Sequence, residues 1–272
     1  MPPLLPVFAA QLTLAIIAFV AGTRLARARR AAWITAASAS LAVLLSWPLL
    51  RFFPVRAIDL LGAPAIACIE LTAMAIPAVL FFAIAARHVP RRSDARAILL
   101  LTAAAGIYFV RAGWWMVSPG VPDLGPARYD ANGVCLQSTE YTCVAASMVT
   151  LLRAQGVPAN ETEMARLAFT QVGGGATDSR TLWALQRKLQ GTPLTPRYHR
   201  LDAPGLIAAN KPCLVQLDWG FFVSHMVPVL DANADRVVLG DPLTGRREIP
   251  MPEFLAKWKK NAITLDSRSG PR

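Results

Sequence analysis

The sequence predicts an N-terminal α-helical transmembrane region with four spans, residues 1–118, followed by a C-terminal α+β domain with an antiparallel sheet, residues 129–266. Two observations support this fold class. Nearly all long apolar runs precede Pro119, and the remaining chain has helical spacing first and short strand-like segments afterwards. Proline and glycine in residues 119–128 predict an extended linker, and residues 267–272 are predicted to be a tail.

Four apolar stretches in the N-terminal part approach or exceed the ~20 residues that a membrane-spanning helix requires. Their predicted bounds are 4–22, 33–50, 60–86 and 97–117. The first stretch has no basic residue ahead of it, and an arginine cluster and three more stretches follow it. We therefore interpret it as a retained helix and not as a cleaved signal peptide.

Basic residues in the short loops indicate the orientation of these helices. The first and third loops carry four arginines each, the second carries two, and the N-terminus has none. They are Arg24, Arg27, Arg29 and Arg30, then Arg87, Arg91, Arg92 and Arg96, with Arg51 and Arg56 in the second loop. Because cytoplasmic loops are enriched in Lys and Arg, the first and third loops are predicted to be cytoplasmic. The C-terminal domain is then predicted on the periplasmic, extracytoplasmic side of a bacterial inner (plasma) membrane.

The net charge of +11 is concentrated in the membrane region. Up to Val117 there are eleven Lys/Arg against three Asp/Glu, whereas the rest of the chain has seventeen against fourteen. The basic residues are thus mainly a topology signal, and they make the lipid bilayer a predicted partner. No nucleic-acid partner is predicted, because the C-terminal domain is only weakly basic.

The first half of the C-terminal domain is predicted to be helical. Apolar spacing favours a helix over Cys143–Ala154, with Thr142 as its N-cap and Gly156 as its stop. A second helix, Asn160–Phe169, opens with a capping-box pattern, and a third, Asp178–Leu189, carries leucines on one face.

The second half of the domain is predicted to form strands, because short β-branched or alternating segments are separated by turn residues. These segments are Cys213–Leu217, His225–Leu230, Arg236–Leu239 and Arg246–Ile249. A final amphipathic helix is predicted over Pro252–Lys260. Helices followed by antiparallel strands are typical of an α+β domain.

A set of four residues in this domain has the chemistry of a thiol-protease site. A cysteine in the first turn of a helix meets outward-pointing N–H groups and the positive end of the helix dipole, and both favour the thiolate. In this interpretation Cys143 is the nucleophile, His225 is the base, and Asp241 orients the imidazole. The Gln137 side chain, together with the Cys143 backbone N–H, stabilises the oxyanion.

Competing interpretations exist for each of these residues. Cys143 could be apolar helix filler, His225 a strand histidine, and Asp241 a turn residue. The chain has only three histidines, and His88 falls in a predicted cytoplasmic loop, which leaves His199 as the rival base. No Cys or His pair has metal-ligand spacing, and no Gly-Lys-Ser/Thr follows the triple glycine, so neither a metal nor a cofactor is predicted.

Several segments of the domain form a recognisable pattern. They are Gln137–Ser147, Glu163–Ala168, His225–Leu230 and Asp235–Pro242, with Gly156, Phe254 and Trp258. In these segments the domain resembles the bacteriocin-processing, double-glycine-leader family of papain-like cysteine peptidases, over about residues 134–265. The resemblance implies a papain-like fold, a triad of Cys143, His225 and Asp241, and Gln137 as the oxyanion donor.

The chain departs from the family pattern beside the cysteine. Members often have Asp before the cysteine and Gly-Pro after it, where this chain has Thr142 and Val144–Ala145. Members fused to peptide exporters carry an ATP-binding cassette, whereas this sequence contains no Walker-type loop. The resemblance therefore implies a peptide or protein substrate and leaves a separate membrane transporter as a candidate partner.

The sequence leaves the redox state of two other cysteines open. An extracytoplasmic domain allows Cys135 to pair with Cys213 and leaves Cys143 free, whereas a cytosolic domain keeps all three reduced.

The main functional hypothesis is a membrane-anchored cysteine endopeptidase that cleaves a peptide or protein substrate through an acyl-enzyme intermediate. A first alternative is a catalytically idle peptidase-like domain that binds peptides for a membrane partner or exporter, motivated by Val144 beside the nucleophile. A second alternative is another thiol acyl-transfer enzyme, such as an amide hydrolase or a transpeptidase.

Overall fold

The computed structural model describes residues 4–51, 54–70, 72–118, 120–209, 211–220 and 223–267. Contacts divide the chain into two compact units, Met1–Pro119 and Gly120–Arg272. The predicted tail, residues 267–272, lies outside the described residues after its first position.

Helices make up the described part of the N-terminal unit. They are α1 (Leu5–Leu25), α2 (Arg30–Arg51), α3 (Pro54–Leu61), α4 (Ala63–Ile69), α5 (Ala75–His88) and α6 (Arg92–Gly113). Among the described residues, two helices are long and apolar enough to cross a membrane, Leu5–Leu25 and Arg92–Met116. The apolar helices Arg30–Ser46 and Ala75–His88 are shorter. The prediction of four spans is therefore not confirmed.

The structure divides the predicted third span, residues 60–86, so the prediction of one continuous helix there is wrong. Helix α4 ends at Ile69, and α5 begins at Ala75. Pro77 gives the physical reason, because a proline has no N–H to donate to the carbonyl four residues earlier, and its ring clashes with that carbonyl. Proline is tolerated in the first turn of a helix, which is where α5 contains it.

The three helices predicted in the first half of the C-terminal unit are present, the first with the predicted bounds and the other two with ends shifted by one or two residues. The helices of this unit are α7 (Cys143–Ala154), α8 (Glu161–Leu167), α9 (Asp178–Lys188), α10 (Ala203–Ala208) and α11 (Met251–Lys257). Asn160 caps α8 as predicted, since its side chain accepts a hydrogen bond from the Glu163 N–H at 2.8 Å. Thr142 precedes α7, but its hydroxyl donates to the Thr139 carbonyl and does not cap the helix, so that predicted cap is wrong.

The described strands of the C-terminal unit are antiparallel, as predicted. They are β1 (Arg128–Tyr129), β2 (Cys135–Leu136), β3 (Leu194–Arg200), β4 (Cys213–Gly220), β5 (Val223–Ala232), β6 (Arg236–Asp241), β7 (Gly245–Pro250) and β8 (Asn261–Ser267). Strands β1 and β2 form a small pair, and the others form one sheet in the order β3-β8-β4-β5-β6-β7. Each neighbouring pair in this sheet is antiparallel.

Two strands of the large sheet, β3 and β8, were not predicted. Strand β3 lies at the edge of the sheet and contains Pro196, which an edge strand tolerates because one side of its backbone has no strand partner. Strand β8 follows the range predicted as a helix up to Lys260, but α11 ends at Lys257. Lys260 has a φ of 59°, and this left-handed turn starts the chain into β8.

Helix α7 is the central helix of the C-terminal unit. It is buried over Val144–Leu152 and packs against β5. A helix that is buried on nearly all sides is typical of a protein core. Its first residue, Cys143, is thereby held next to the strand that carries His225.

The connector predicted as an extended linker contains residues that are bound to helix α8. The Leu124 N–H donates to Thr162 Oγ1 at 3.0 Å, and the Thr162 hydroxyl donates to Asp123 Oδ1 at 3.2 Å. This part of the connector is therefore fixed to the C-terminal unit.

Candidate active site

Cys143 is the first residue of α7 and is partly exposed, whereas Val144–Leu152, which follow it in the helix, are buried. Its thiol hydrogen-bonds with the His225 side chain. The backbone of Met226, the next residue on β5, and the backbone of Val144 also hydrogen-bond to the sulfur. The Cys143 thiol is therefore held both by its own helix and by the facing strand.

His225 lies on β5, and Asp241 is the last residue of β6. His225 Nε2 lies 2.8 Å from Asp241 Oδ1. Because Nε2 faces the carboxylate, Nδ1 is the ring nitrogen left for the Cys143 thiol. The structure thus brings the three predicted residues together in one hydrogen-bonded series.

The neighbours of Cys143 and His225 favour the charged forms of both. Burial acts to raise the pKa of the Cys143 thiol, but the hydrogen bonds from His225 and the Met226 backbone outweigh burial, so this pKa lies below its ordinary value. Burial also acts to lower the pKa of His225, yet hydrogen bonds with Asp241 and Cys143 raise this pKa to about 9. Each shift favours the charged form of its group, the thiolate for Cys143 and the imidazolium for His225.

Asp241 is fully buried, and its carboxylate is stabilised on several sides. Oδ1 also accepts a hydrogen bond from the Leu243 N–H at 2.9 Å, and Oδ2 lies 3.3 Å from Arg247 Nη2. Burial acts to raise the pKa of Asp241, but the bonds from His225 and Leu243 and the nearby Arg247 charge lower this pKa overall. Asp241 is consequently a carboxylate that can orient the imidazole.

Gln137 follows β2 and is buried. Its backbone N–H donates to the carbonyl of Pro242, the residue after Asp241, at 2.9 Å, and its own carbonyl accepts from Arg128 Nη2 at 2.9 Å. The side-chain Nε2 donates to the Thr139 carbonyl at 2.7 Å. Among the described residues this is the only hydrogen bond of the amide nitrogen, so its second N–H can serve a ligand.

Ser147 received no role from the sequence, although it lies in the site. It is one helical turn after Cys143, is fully buried, and donates from Oγ to the Met226 carbonyl at 2.8 Å. The Met226 backbone thus bonds both to the Cys143 thiol and to Ser147 on α7. The spacing of four residues, which puts Cys143 and Ser147 on one helix face, is the signal that could have identified it.

Trp219, near the end of β4, was also not predicted as a site residue. Its ring centroid is 4.7 Å from that of His225, with an angle of 50° between the ring planes. The side chain is 46% exposed, so it covers His225 on the solvent side. Only the fold brings this tryptophan to the histidine.

The structure also locates the competing candidates. His199 lies on β3, where its Nε2 is 3.0 Å from Thr264 Oγ1, and β3 is three strand spacings, about 14 Å in total, away from β5. The His88 ring stacks on Trp33 within the N-terminal unit. His199 is therefore not placed to serve as the base for Cys143.

The other cysteines of the unit are inert by comparison. Cys135 and Cys213 are fully buried free thiols, so the disulfide that the sequence left open is not formed in this structure. Burial raises the pKa of each of these thiols to about 12. Within the described residues, no group of three or more His, Cys, Asp or Glu could hold a metal ion.

The fold is that of a papain-like cysteine peptidase, and it brings a thiol, an imidazole and a carboxylate together. The model of the Peptidase C39 family matches residues 132–270, about half of the chain, and this chain belongs to that family. The match covers the described site and the whole antiparallel sheet, which confirms the resemblance stated from the sequence.

Two curated relatives are similar in sequence. The chain is 25% identical over 125 residues to the probable functional amyloid protease FapD of Pseudomonas aeruginosa, a match that covers 45% of this chain and 55% of the relative. It is 24% identical over 125 residues to the protein of the same name from Pseudomonas fluorescens, with the same coverage. The chain thus spans about half the length of the curated relatives it matches.

Two solved peptidase structures are also similar. One is a double glycine motif protease from an AMS/PCAT transporter in complex with its leader peptide, with a TM-score of 0.44, 19% identity, and coverage of 53% of this chain and 94% of that one. The other is the peptidase domain of Streptococcus ComA, with a TM-score of 0.44, 18% identity, and coverage of 48% and 96%.

Proposed function

We propose that this chain is a membrane-anchored cysteine endopeptidase that uses Cys143, His225 and Asp241 as a catalytic triad and Gln137 as an oxyanion donor. The observation that carries the proposal is the continuous series of hydrogen bonds from the Cys143 thiol through His225 to the buried carboxylate of Asp241. Gln137 supports it, because its backbone is bonded to Pro242, directly after the triad aspartate.

The proposed reaction has two acyl-transfer steps. The Cys143 thiolate attacks the scissile carbonyl carbon, while the second N–H of Gln137 and the Cys143 backbone N–H donate to the developing oxyanion. The His225 imidazolium gives its proton to the leaving amine, and a thioester remains on Cys143. A water molecule then transfers a proton to His225 and attacks the thioester. This step releases the acid product and restores the Cys143 thiolate and the His225 imidazolium.

Val144 and Ala145, which replace the usual residues after the nucleophile, do not favour an idle binding domain. Their exposed fractions are 4% and 0%, so both side chains are buried, whereas Cys143 is partly exposed. A peptide-binding domain without catalysis also has no use for a stabilised thiolate beside an imidazolium.

The surface of helices α1 and α6 supports membrane anchoring. Only 11% of the most apolar 18-residue segment of each helix is buried, which distinguishes the two helices from the core helices of a soluble protein. Leu14, Ile16 and Ile17 on α1 are 52–57% exposed, and Leu100 and Ile107 on α6 are both 72% exposed. Exposed apolar side chains in such number are unfavourable in water and suit a bilayer. We propose that this unit is multi-pass in the bacterial inner membrane.

The proposed substrate is a polypeptide that reaches the extracytoplasmic face of that membrane. This follows from the positive-inside orientation of the arginine-rich loops. Since the matched relatives are named as probable functional amyloid proteases, amyloid-forming polypeptides are the substrate class to test first.

Trapping of the acyl-enzyme tests the proposal directly. The full chain in detergent is mixed with a proteome-derived peptide library, quenched in acid, and analysed by mass spectrometry. We expect an acyl group on Cys143 and new peptide termini, and we expect both to disappear in Cys143→Ala. Cleavage that persists in Cys143→Ala, or an acyl group on another cysteine, would contradict the proposed function.

A further inference from the structure

Glu161 is a buried carboxylate that the proposed mechanism does not use. It is the first residue of α8 and is only 1% exposed. Both of its oxygens bind Ser138: Oε1 accepts from the Ser138 N–H at 2.8 Å, and Oε2 accepts from the Ser138 hydroxyl at 2.5 Å. A buried carboxylate is costly unless hydrogen bonds satisfy it, so this two-point contact fixes both residues.

Ser138 directly follows Gln137, and its neighbours are bonded as well. The Gln137 N–H donates to the Pro242 carbonyl, and the Thr139 N–H donates to Thr142 Oγ1 at 3.1 Å. Among these contacts of residues 137–139, the bond to Glu161 is the one made by helix α8. It connects the segment to a helix that carries no residue of the triad.

The orientation of the Gln137 amide depends on this backbone. Its Nε2 donates to the carbonyl of Thr139, whereas its Oε1 is buried and has no hydrogen-bond partner among the described residues. The amide is therefore oriented from the nitrogen side only, by a carbonyl on the far side of Ser138. A shift of the Ser138 peptide would move that carbonyl and turn the donor away from the oxyanion position.

Resting on the function proposed above, we propose that Glu161 is a positioning residue that holds Ser138 and thereby aims the Gln137 N–H at the oxyanion. Glu161 does not contact the triad and acts through Ser138 alone. A displacement of about 1 Å in a positioned group is enough to cost a large part of its effect on catalysis.

A small aldehyde separates this role from simple structural support. N-acetylglycinal adds to a thiolate and forms a hemithioacetal whose oxygen lies where the oxyanion forms, so its affinity reports on the oxyanion donors. Iodoacetamide reports on the thiolate but not on those donors. Both probes are applied to Cys143 in the full chain, with aldehyde affinity measured as protection against alkylation.

We expect Glu161→Gln to weaken aldehyde binding about tenfold, because the new amide cannot accept from both Ser138 groups, and to leave the alkylation rate of Cys143 unchanged. Gln137→Ala is expected to weaken aldehyde binding about 100-fold. In the double variant the two losses should not multiply, since both act on one donor. Glu163→Gln, two residues further on and bonded to Lys188, is the matched control and should behave as wild type.

Wild-type aldehyde affinity in Glu161→Gln, or losses that multiply in the double variant, would overturn the inference. If Glu161→Gln does not fold, Ser138→Ala is the variant to measure, because it removes only the hydrogen bond from the Ser138 hydroxyl to Glu161. An unchanged aldehyde affinity in Ser138→Ala would also overturn the inference. A wild-type chain whose Cys143 forms no aldehyde adduct and is not alkylated would instead count against the proposed function itself.

Discussion

At the level of single residues, the charges of Cys143 and His225 determine how the site responds to pH. Acylation needs the thiolate and the imidazolium together. The thiolate fraction rises with pH through the lowered pKa of Cys143, and the imidazolium fraction falls as pH passes the raised pKa of His225, about 9. The proposed enzyme is therefore active between these two pKa values, which belong to the coupled pair.

We predict a bell-shaped pH profile for kcat/KM in peptide cleavage, with a decline above about pH 9. Alkylation of Cys143 by iodoacetamide needs only the thiolate and should not decline there. Asp241→Asn removes a contact that raises the pKa of His225, so the upper limb should move to lower pH. Two results would contradict the assignment of this decline to His225. One is a decline that occurs at the same pH in Asp241→Asn, and the other is an alkylation rate that also declines above about pH 9.

Trp219 gives a second prediction at this scale. Removing its ring exposes the His225–Asp241 hydrogen bond to water, which weakens it by raising the local dielectric constant. We expect Trp219→Ala to lower kcat/KM about tenfold, and Trp219→Phe to restore most of the activity because it keeps an apolar cover. Equal activity in the alanine variant and the wild type would show that the ring has no such role.

The sequence was sufficient to select Cys143, His225 and Asp241, which the structure brings together, because each residue type has a distinct role in thiol-protease chemistry. The catalytic roles of these residues and of Gln137 stay predictions. The sequence was not sufficient for Glu161, whose contact with Ser138 joins a helix start to a loop. Such a contact depends on how separate elements pack, and no local sequence pattern predicts it.

At the level of elements, the turn between β6 and β7 keeps Asp241 in position. Asp241 pairs with Gly245 across this turn, and Gly245 has a φ of 83°. A Cβ on Gly245 would lie 2.6 Å from Asp130 Oδ2, the atom that accepts from the Arg246 N–H at 2.7 Å. The glycine is therefore required both by its backbone conformation and by this close approach.

We predict that Gly245→Ala destabilises the C-terminal unit by more than the ~1–3 kcal/mol expected for a strained φ alone. The measurement is the labelling rate of the buried Cys213 in mild denaturant, which reports opening of the sheet. Gly133→Ala is the matched control, because Gly133 has a φ of 80° and no atom within 4 Å of the added Cβ. Equal effects of the two substitutions would mean that the Asp130 contact is unimportant.

The elements themselves were partly predictable. Helix α7 has the predicted bounds, because its apolar spacing and the glycine at its end agree. Strand β3 has neither a clean alternation nor a continuous apolar run, since it is an edge strand that contains Pro196. The break before α5 could have been inferred from Pro77, but the prediction rested on the length of the apolar run, which continues through the break.

At the level of the whole molecule, the side of the membrane on which the peptidase unit lies determines which polypeptides it can reach. We predict an extracytoplasmic location, because the arginine-rich loops favour the cytoplasm. Protease added to intact spheroplasts should digest the peptidase unit and spare a cytosolic marker protein. Protection of the unit until the membrane is permeabilised would place it in the cytosol and redirect the substrate search to polypeptides before export.

The central claim is that Cys143 is a nucleophile activated by His225, and site-resolved alkylation tests it most directly. The full chain is treated with iodoacetamide at pH 7, and each cysteine is followed by mass spectrometry. We predict that Cys143 reacts at least ~100-fold faster than Cys135 and Cys213, whose thiols are buried and have pKa values of about 12. His225→Ala should slow Cys143 at least ~10-fold. Reaction of Cys143 no faster than that of Cys213, or an unchanged rate in His225→Ala, would contradict the account.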